Sequence, residues 1–241
     1  IKIQESNYTT IDKITVSEIY LKGIWVVESK HNILTNIIAN SNPQYGLYLW
    51  DADNNTLTNI TASGNSHGLY LYYSDNNTLT NITTNSNQYY GLYFWASNSN
   101  TLTNITANSN QYGIYISYSS DHNNITSSTI QNNTNAGIYL DEWSFLDPEY
   151  NYIYNNYLNN TVNIKLDSDI ANPNYFNIPK DCTQTNILGG PCIGGNYWTD
   201  PDGGNFSDSC TDTNGDGICD SQYCCLLYTS DAADELDGVD L

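Results

Sequence analysis

The chain has 241 residues, 39% of them apolar, and a formal charge of −20 from 26 acidic residues against six Lys and no Arg. So few cations cannot neutralise a phosphate backbone, which excludes nucleic-acid binding, and the same deficit disfavours an anionic membrane surface. No stretch approaches the roughly 18 apolar residues of a membrane-spanning helix, and with 22 Tyr but no long aliphatic runs a conventional globular core would be thin.

The sequence opens in mid-pattern at Ile1, with no Met and no leader, which predicts a piece of a longer exported precursor whose signal, anchor and further domains lie elsewhere. A repeat follows at once. The strings NNTLTNITASGNSHGLYLYYSD from Asn54, NNTLTNITTNSNQYYGLYFWASN from Asn76 and SNTLTNITANSNQYGIYISYSSD from Ser99 are near copies. An apolar anchor falls at Ile11, Leu34, Leu57, Leu79, Leu102 and Ile125, in steps of 23, 23, 22, 23 and 23. A Gly anchor falls at Gly23, Gly46, Gly68, Gly91, Gly113 and Gly137. Two independent anchors with one period define a solenoid. Each coil holds two β-like runs, such as TLTNIT and GLYLYY, parted by Asn, Ser and Gly. Some leucine-rich repeats share the period, but they need more Leu at set spacings. The reading is an all-β parallel β-helix of about 23 residues per coil. Equivalent residues then lie about 4.8 Å apart, so Asn at the corners can form amide ladders.

Alternation along Gly46-Leu47-Tyr48-Leu49-Trp50 sends Leu47 and Leu49 inward and Tyr48 and Trp50 outward. Through the coils this predicts two outward rows. One is Trp25, Tyr48, Tyr70, Tyr93, Tyr115 and Tyr139; the other is Val27, Trp50, Tyr72, Trp95, Ser117 and Asp141. Aromatic faces suit the C–H faces of sugars, so Trp25, Tyr48, Trp50, Tyr70, Tyr72, Tyr93, Trp95 and Tyr115 form a candidate carbohydrate-binding platform. The same rings could instead stack on one another and stabilise the coil. Asp53, Asp75, Asn98 and Asp121 share one coil position, and stacked carboxylates suit acid–base cleavage. No Lys or Arg lies between Gly46 and Tyr150 to hold an acidic substrate, which favours solvated turn acids instead. Sequons stand at Asn7, Asn54, Asn59, Asn76, Asn81, Asn104, Asn124, Asn132, Asn159 and Asn205, and a glycan cannot fit where the Asn packs in a ladder.

An insertion at Asp141 to Glu149 lengthens one corner, and the coils end near residue 165. A Cys-, Gly- and Asp-rich module over 166–224 is expected to cover the open strand edge. Four cysteines in an exported chain suggest two disulfides, and local pairing of Cys182 with Cys192 and Cys210 with Cys219 is preferred among three connectivities. Asp212-Thr213-Asn214-Gly215-Asp216-Gly217-Ile218-Cys219-Asp220 spaces oxygens as a cation loop does. Side chains of Asp212, Asn214, Asp216 and Asp220 with the Ile218 carbonyl would hold Ca²⁺. The twelfth position is Tyr223 rather than Glu, which suggests the shorter loop of dockerin-like repeats.

The coils from about Ile11 to Ile178 resemble the right-handed parallel β-helix repeats of the NosD-like family, whose wider group includes carbohydrate-binding proteins and sugar hydrolases. The segment from Thr185 to Tyr223, with GGNYW and NGDGI, looks like the module that closes β-helices in surface proteins of methanogenic archaea. The resemblance implies a right-handed coil and an extracellular or cell-surface location. It also implies three functions: a non-enzymatic adhesion protein that binds carbohydrate, a polysaccharide-active lyase or hydrolase, and copper delivery. The chain lacks Met, and its His residues are scattered, so copper has few soft ligands here. Residues 225–241 share no composition with the rest. Their CLLYTSDAADE string resembles a translated sequencing adapter, so the tail is expected to be foreign to the gene. Without Asp231, Asp234, Glu235, Asp237 and Asp240 the charge is −15, from six Lys against 21 acids.

Overall fold

Runs of Thr, Ile, Leu and Tyr between polar corners favour short strands. In this computed structural model, which describes residues 1–18, 21–144, 146–167 and 173–220, those runs stack into a parallel β-helix. One sheet has eight strands, from Lys2–Gln4 through Tyr45–Trp50 and Ala136–Asp141 to Ile164–Leu166; the other has eleven. All named strand pairs are parallel, and the register joins Ile11, Leu34, Leu57, Leu79, Leu102 and Ile125 in one column, as the anchors require. Ile153 continues that column after the insertion at 141–149.

The coil has three faces rather than the two that the β-like runs suggest. The run Thr56–Thr61 bends at Asn59, whose φ is +56°. Strict alternation would put Leu57 and Asn59 on one side. The left-handed residue instead turns both Leu57 and Ile60 into the core. Asn36, Asn81 and Asn104 make the same bend in their coils. Asn tolerates this backbone better than most residues, which accounts for part of the Asn content.

Buried amide ladders hold the corners. Each backbone N–H of Asn32, Asn55, Asn77, Asn100 and Asn123 donates to the side-chain oxygen of the equivalent Asn in the next coil, at 2.8–2.9 Å. A second column runs through Asn42, Asn65, Asn87, Asn110, Asn133 and Asn160. These side chains are essentially inaccessible to water. The Gly anchors lie beside the second column. A Cβ at Gly68 would sit 2.5 Å from the Gly91 carbonyl oxygen and 2.8 Å from the Asn87 amide, so only Gly lets the coils close.

At the C-terminal end Asn174 extends the first of these columns and Asn196 extends a third that runs through Ser128 and Asn156; Tyr197–Thr199 pairs with Tyr157–Asn159, and Trp198 and Phe176 close the core. The module thus continues the solenoid's own hydrogen bonding beyond residue 165. Disulfides join Cys182 to Cys192 and Cys210 to Cys219. Among the described residues no helix is long and apolar enough to cross a membrane. The tail at 225–241 lies outside the described residues.

Two substitutions test this construction by chemical denaturation. Asn100→Ala takes the acceptor from two buried donors of Asn77, its backbone N–H and its side-chain amide, with an expected loss of about 2–4 kcal/mol. Gly68→Ala drives a methyl into the next coil's backbone and should cost about 3 kcal/mol or more, although its φ is one that Ala adopts freely.

Candidate functional site

The two outward rows differ in what they expose. The row Trp25–Tyr48–Tyr70–Tyr93–Tyr115–Tyr139 is a packed spine. Tyr48 and Tyr139 are only 8% and 7% exposed. Tyr70 and Tyr93 stack with centroids 4.5 Å apart and planes 6° from parallel. Burial pushes the phenols of Tyr48, Tyr70, Tyr93 and Tyr115 well above the usual tyrosine range. Lys22 Nζ lies 4.0 Å from the rings of Trp25 and Tyr48 at one end, and Lys165 Nζ lies 4.1 Å from Tyr139 at the other. Tyr115 and Tyr139 donate to Asp141 and Asp167 at 2.6 and 2.8 Å. A third column, Lys22–Tyr45–His67–Tyr90–Tyr112, leans on this spine. Sequence reasoning passed over it because alternation fails at the Gly anchor, where Gly46 and Leu47 both face inward and Tyr45 is released to the outside.

The outer row, Trp50–Tyr72–Trp95, is more open. Trp50 is 39% exposed. Trp95 stacks on Tyr118 at 4.8 Å and meets Trp143, 52% exposed, at 5.5 Å. Tyr73, 45% exposed, sets its ring edge-on to Tyr72 at 4.6 Å. Trp143 belongs to the insertion, which the bridge between Trp143 and Leu146 folds back beside the row.

Below this lip runs an open groove of about 440 Å³, lined by Asp51, Asp53, Tyr73, Asp75, Tyr118 and Leu146 among others. The stacked acids serve the coil as well as the groove. Asp53, Asp75, Asn98 and Asp121 each accept the backbone N–H of the corner residue one coil on, at 2.6–2.9 Å. Burial raises the carboxyls of Asp75 and Asp121 above the usual range. Lys30 enters from the preceding coil, 2.6 Å from Asp53 and 3.9 Å from Asp51. The absence of a base between Gly46 and Tyr150 therefore does not leave the acid row without one. Counting 23 residues back from Asp53 reaches Lys30, a signal available in the repeat itself.

The Asp-rich loop is closed by its own bonds. Asp212 accepts the N–H groups of Gly215, Asp216 and Gly217, and Asp220 accepts the backbone N–H and the hydroxyl of Thr213. Asp216 pairs with Lys180, which holds its carboxyl below the usual range. Calcium binding there would require Asp216 to exchange Lys180 for the ion.

A family model described as periplasmic copper-binding protein (NosD) matches residues 1–203. The chain belongs to the NosD family. No curated protein matches it. Among solved structures, the periplasmic alginate epimerase AlgG aligns with a TM-score of 0.65 at 17% identity, over 72% of this chain and 46% of that one. The A-module of the mannuronan C-5 epimerase AlgE4 from Azotobacter vinelandii aligns with a TM-score of 0.60 at 18% identity, over 70% and 52%. The chain spans about half the length of these neighbours, and the likeness is one of fold.

The NosD description names copper, which favours thiolate, thioether and imidazole donors. This NosD-family chain has no Met, and Cys182, Cys192, Cys210 and Cys219 are bound in disulfides. His31 stacks on Tyr8, His122 lies against Tyr150, and His67 packs between Tyr45 and Tyr90. Among the described residues no three His, Cys, Asp or Glu side chains gather as a metal site. Among the described residues the donors do not fit copper.

His67 gives a pH test of the spine. Burial lowers its pKa from 6.5 to about 4. As pH falls below 6.5 the unfolded chain takes up the proton first, so stability drops between about 6.5 and 4 and levels off below. The loss is at most on the order of 3 kcal/mol. His67→Tyr, which matches its column neighbours, should remove this loss in urea titrations across that window.

Proposed function

We propose that this NosD-family chain is an extracytoplasmic, non-enzymatic surface protein that binds polysaccharide along the outer aromatic row. The observation that carries the reading is the open row itself. Trp50, Tyr72, Tyr73, Trp95, Tyr118 and Trp143 follow the solenoid axis beside a groove lined with hydrogen-bond acceptors. Partly exposed indole and phenol rings offer flat apolar faces for sugar C–H groups, and the carboxylates and Asn98 accept from hydroxyls. Coils about 4.8 Å apart present a new ring and a new acceptor at nearly the advance of one pyranose in an extended polymer. The fold neighbours named as epimerases of alginate and mannuronan support a saccharide ligand. The two disulfides support an oxidising compartment.

A second reading, a polysaccharide-active enzyme, is favoured by one observation: Lys30 beside Asp53 and Asp51 in that groove. A depolymerisation screen separates the two readings, since a binding protein leaves chain length unchanged.

Trp50→Ala combined with Trp95→Ala should lower affinity for any polysaccharide scored on a glycan array by about tenfold or more, with the far-UV spectrum retained. Tyr70→Phe, within the packed spine, should bind as the parent does. Unchanged binding by the double variant would remove the outer row as the site.

A further inference from the structure

We infer that the groove beside the outer row selects polymers of amino sugars that carry free ammonium groups and rejects polyuronates. This rests on the polysaccharide reading and adds the chemical class of the ligand. Three carboxylates, Asp51, Asp53 and Asp75, line the groove. The acid row continues through Asp121 to Glu149, whose N–H donates to Asp121. Against these stands one ammonium, Lys30, and it is already bound to Asp53 at 2.6 Å. The Asp51 side chain is 55% exposed and meets Lys30 only at 3.9 Å, so it is open to a second cation.

Each remaining element of the groove points to the same ligand. Tyr73, Tyr118 and Leu146 give it apolar walls, so the occupant needs ring faces as well as positive charge. A simple metal ion or a polyamine lacks those faces. A uronate polymer has them, but brings a carboxylate beside Asp51, Asp53 or Asp75 in a partly desolvated cleft, where like charges repel strongly. A polymer of hexosamines laid along the axis can stack on the aromatic lip and pass its ammonium groups over the acids. Asn98 holds the same row position as Asp75, so a neutral amide there already satisfies the coil's hydrogen bonding. The carboxylate charge at Asp75 is therefore surplus to what the fold requires, and Asp51 stands outside that row, with Lys30 at 3.9 Å.

The test uses calorimetry on the full chain at mildly acidic pH, where the free amine of glucosamine is charged. The probes are a β-linked glucosamine hexamer, its fully N-acetylated counterpart and a uronate hexamer. The glucosamine hexamer should bind about tenfold or more tightly than the acetylated one, and the uronate should not bind. Asp51→Asn with Asp75→Asn should cost the glucosamine hexamer about tenfold and leave the acetylated hexamer unchanged. Glu18→Gln with Asp202→Asn removes the same charge elsewhere and should change neither. Equal affinity for the charged and acetylated hexamers, or binding of the uronate, would overturn the selectivity while leaving the polysaccharide reading in place. An equal loss in the remote pair would show attraction by bulk charge and overturn the groove. If none of the three binds and a broad glycan array is also blank, the polysaccharide reading fails along with it.

Discussion

Every feature of this molecule depends on how the buried corner of one coil satisfies its backbone N–H groups. At those corners the strand ladder is interrupted and water is excluded, so each N–H needs an acceptor from the neighbouring coil. Asn supplies one: its carbonyl accepts from the coil before, and its amide donates to the coil after or to a nearby carbonyl. This exchange works only at strand spacing and in register. It fixes the length of the coil, forbids a side chain at Gly68, and leaves the 141–149 insertion room only where a corner can bulge outward.

Regularity made the fold legible. Two anchors repeating together placed Leu34, Leu57, Leu79 and Leu102 in one inward column, because stacking forces equivalent residues together. The bend inside TLTNIT was less visible. It depends on a left-handed Asn59, and a period-two reading assumes an extended backbone throughout. The disulfide partners were readable from local spacing.

The candidate site was half legible. Alternation found the rings of Trp50, Tyr72 and Trp95, but could not tell that the neighbouring row from Tyr48 to Tyr139 is closed by its own stacking. Packing between columns decides that, and it is not local in sequence. Lys30 was overlooked because the search for a base followed the chain, whereas the solenoid places neighbours one full coil apart. Trp143 and Leu146 lie in the irregular insertion, where no repeat predicts direction. The family and fold neighbours establish kinship and architecture; the chemistry of the groove belongs to this chain's own side chains.

The two buried Asn columns have a further electrical consequence. From Asn55 to Asn151 and from Asn65 to Asn160, each side-chain oxygen faces the N-terminal neighbour. Amides aligned this way in a dry interior polarise one another and add along the axis. The column Asn36–Asn59–Asn81–Asn104 runs the opposite way, but it lies in water and is screened. The interior therefore acts as a long dipole, negative toward the first coils and positive toward the last. The fixed charges are uneven along it: in residues 1–30 Lys2, Lys13, Lys22 and Lys30 are balanced by Glu5, Asp12, Glu18 and Glu28, whereas Asp200, Asp202, Asp208, Asp212, Asp216 and Asp220 lie in the module at the far end. The amide stack that holds the coils together thus also gives the rod a polarity, and the excess of acids sits at its positive end.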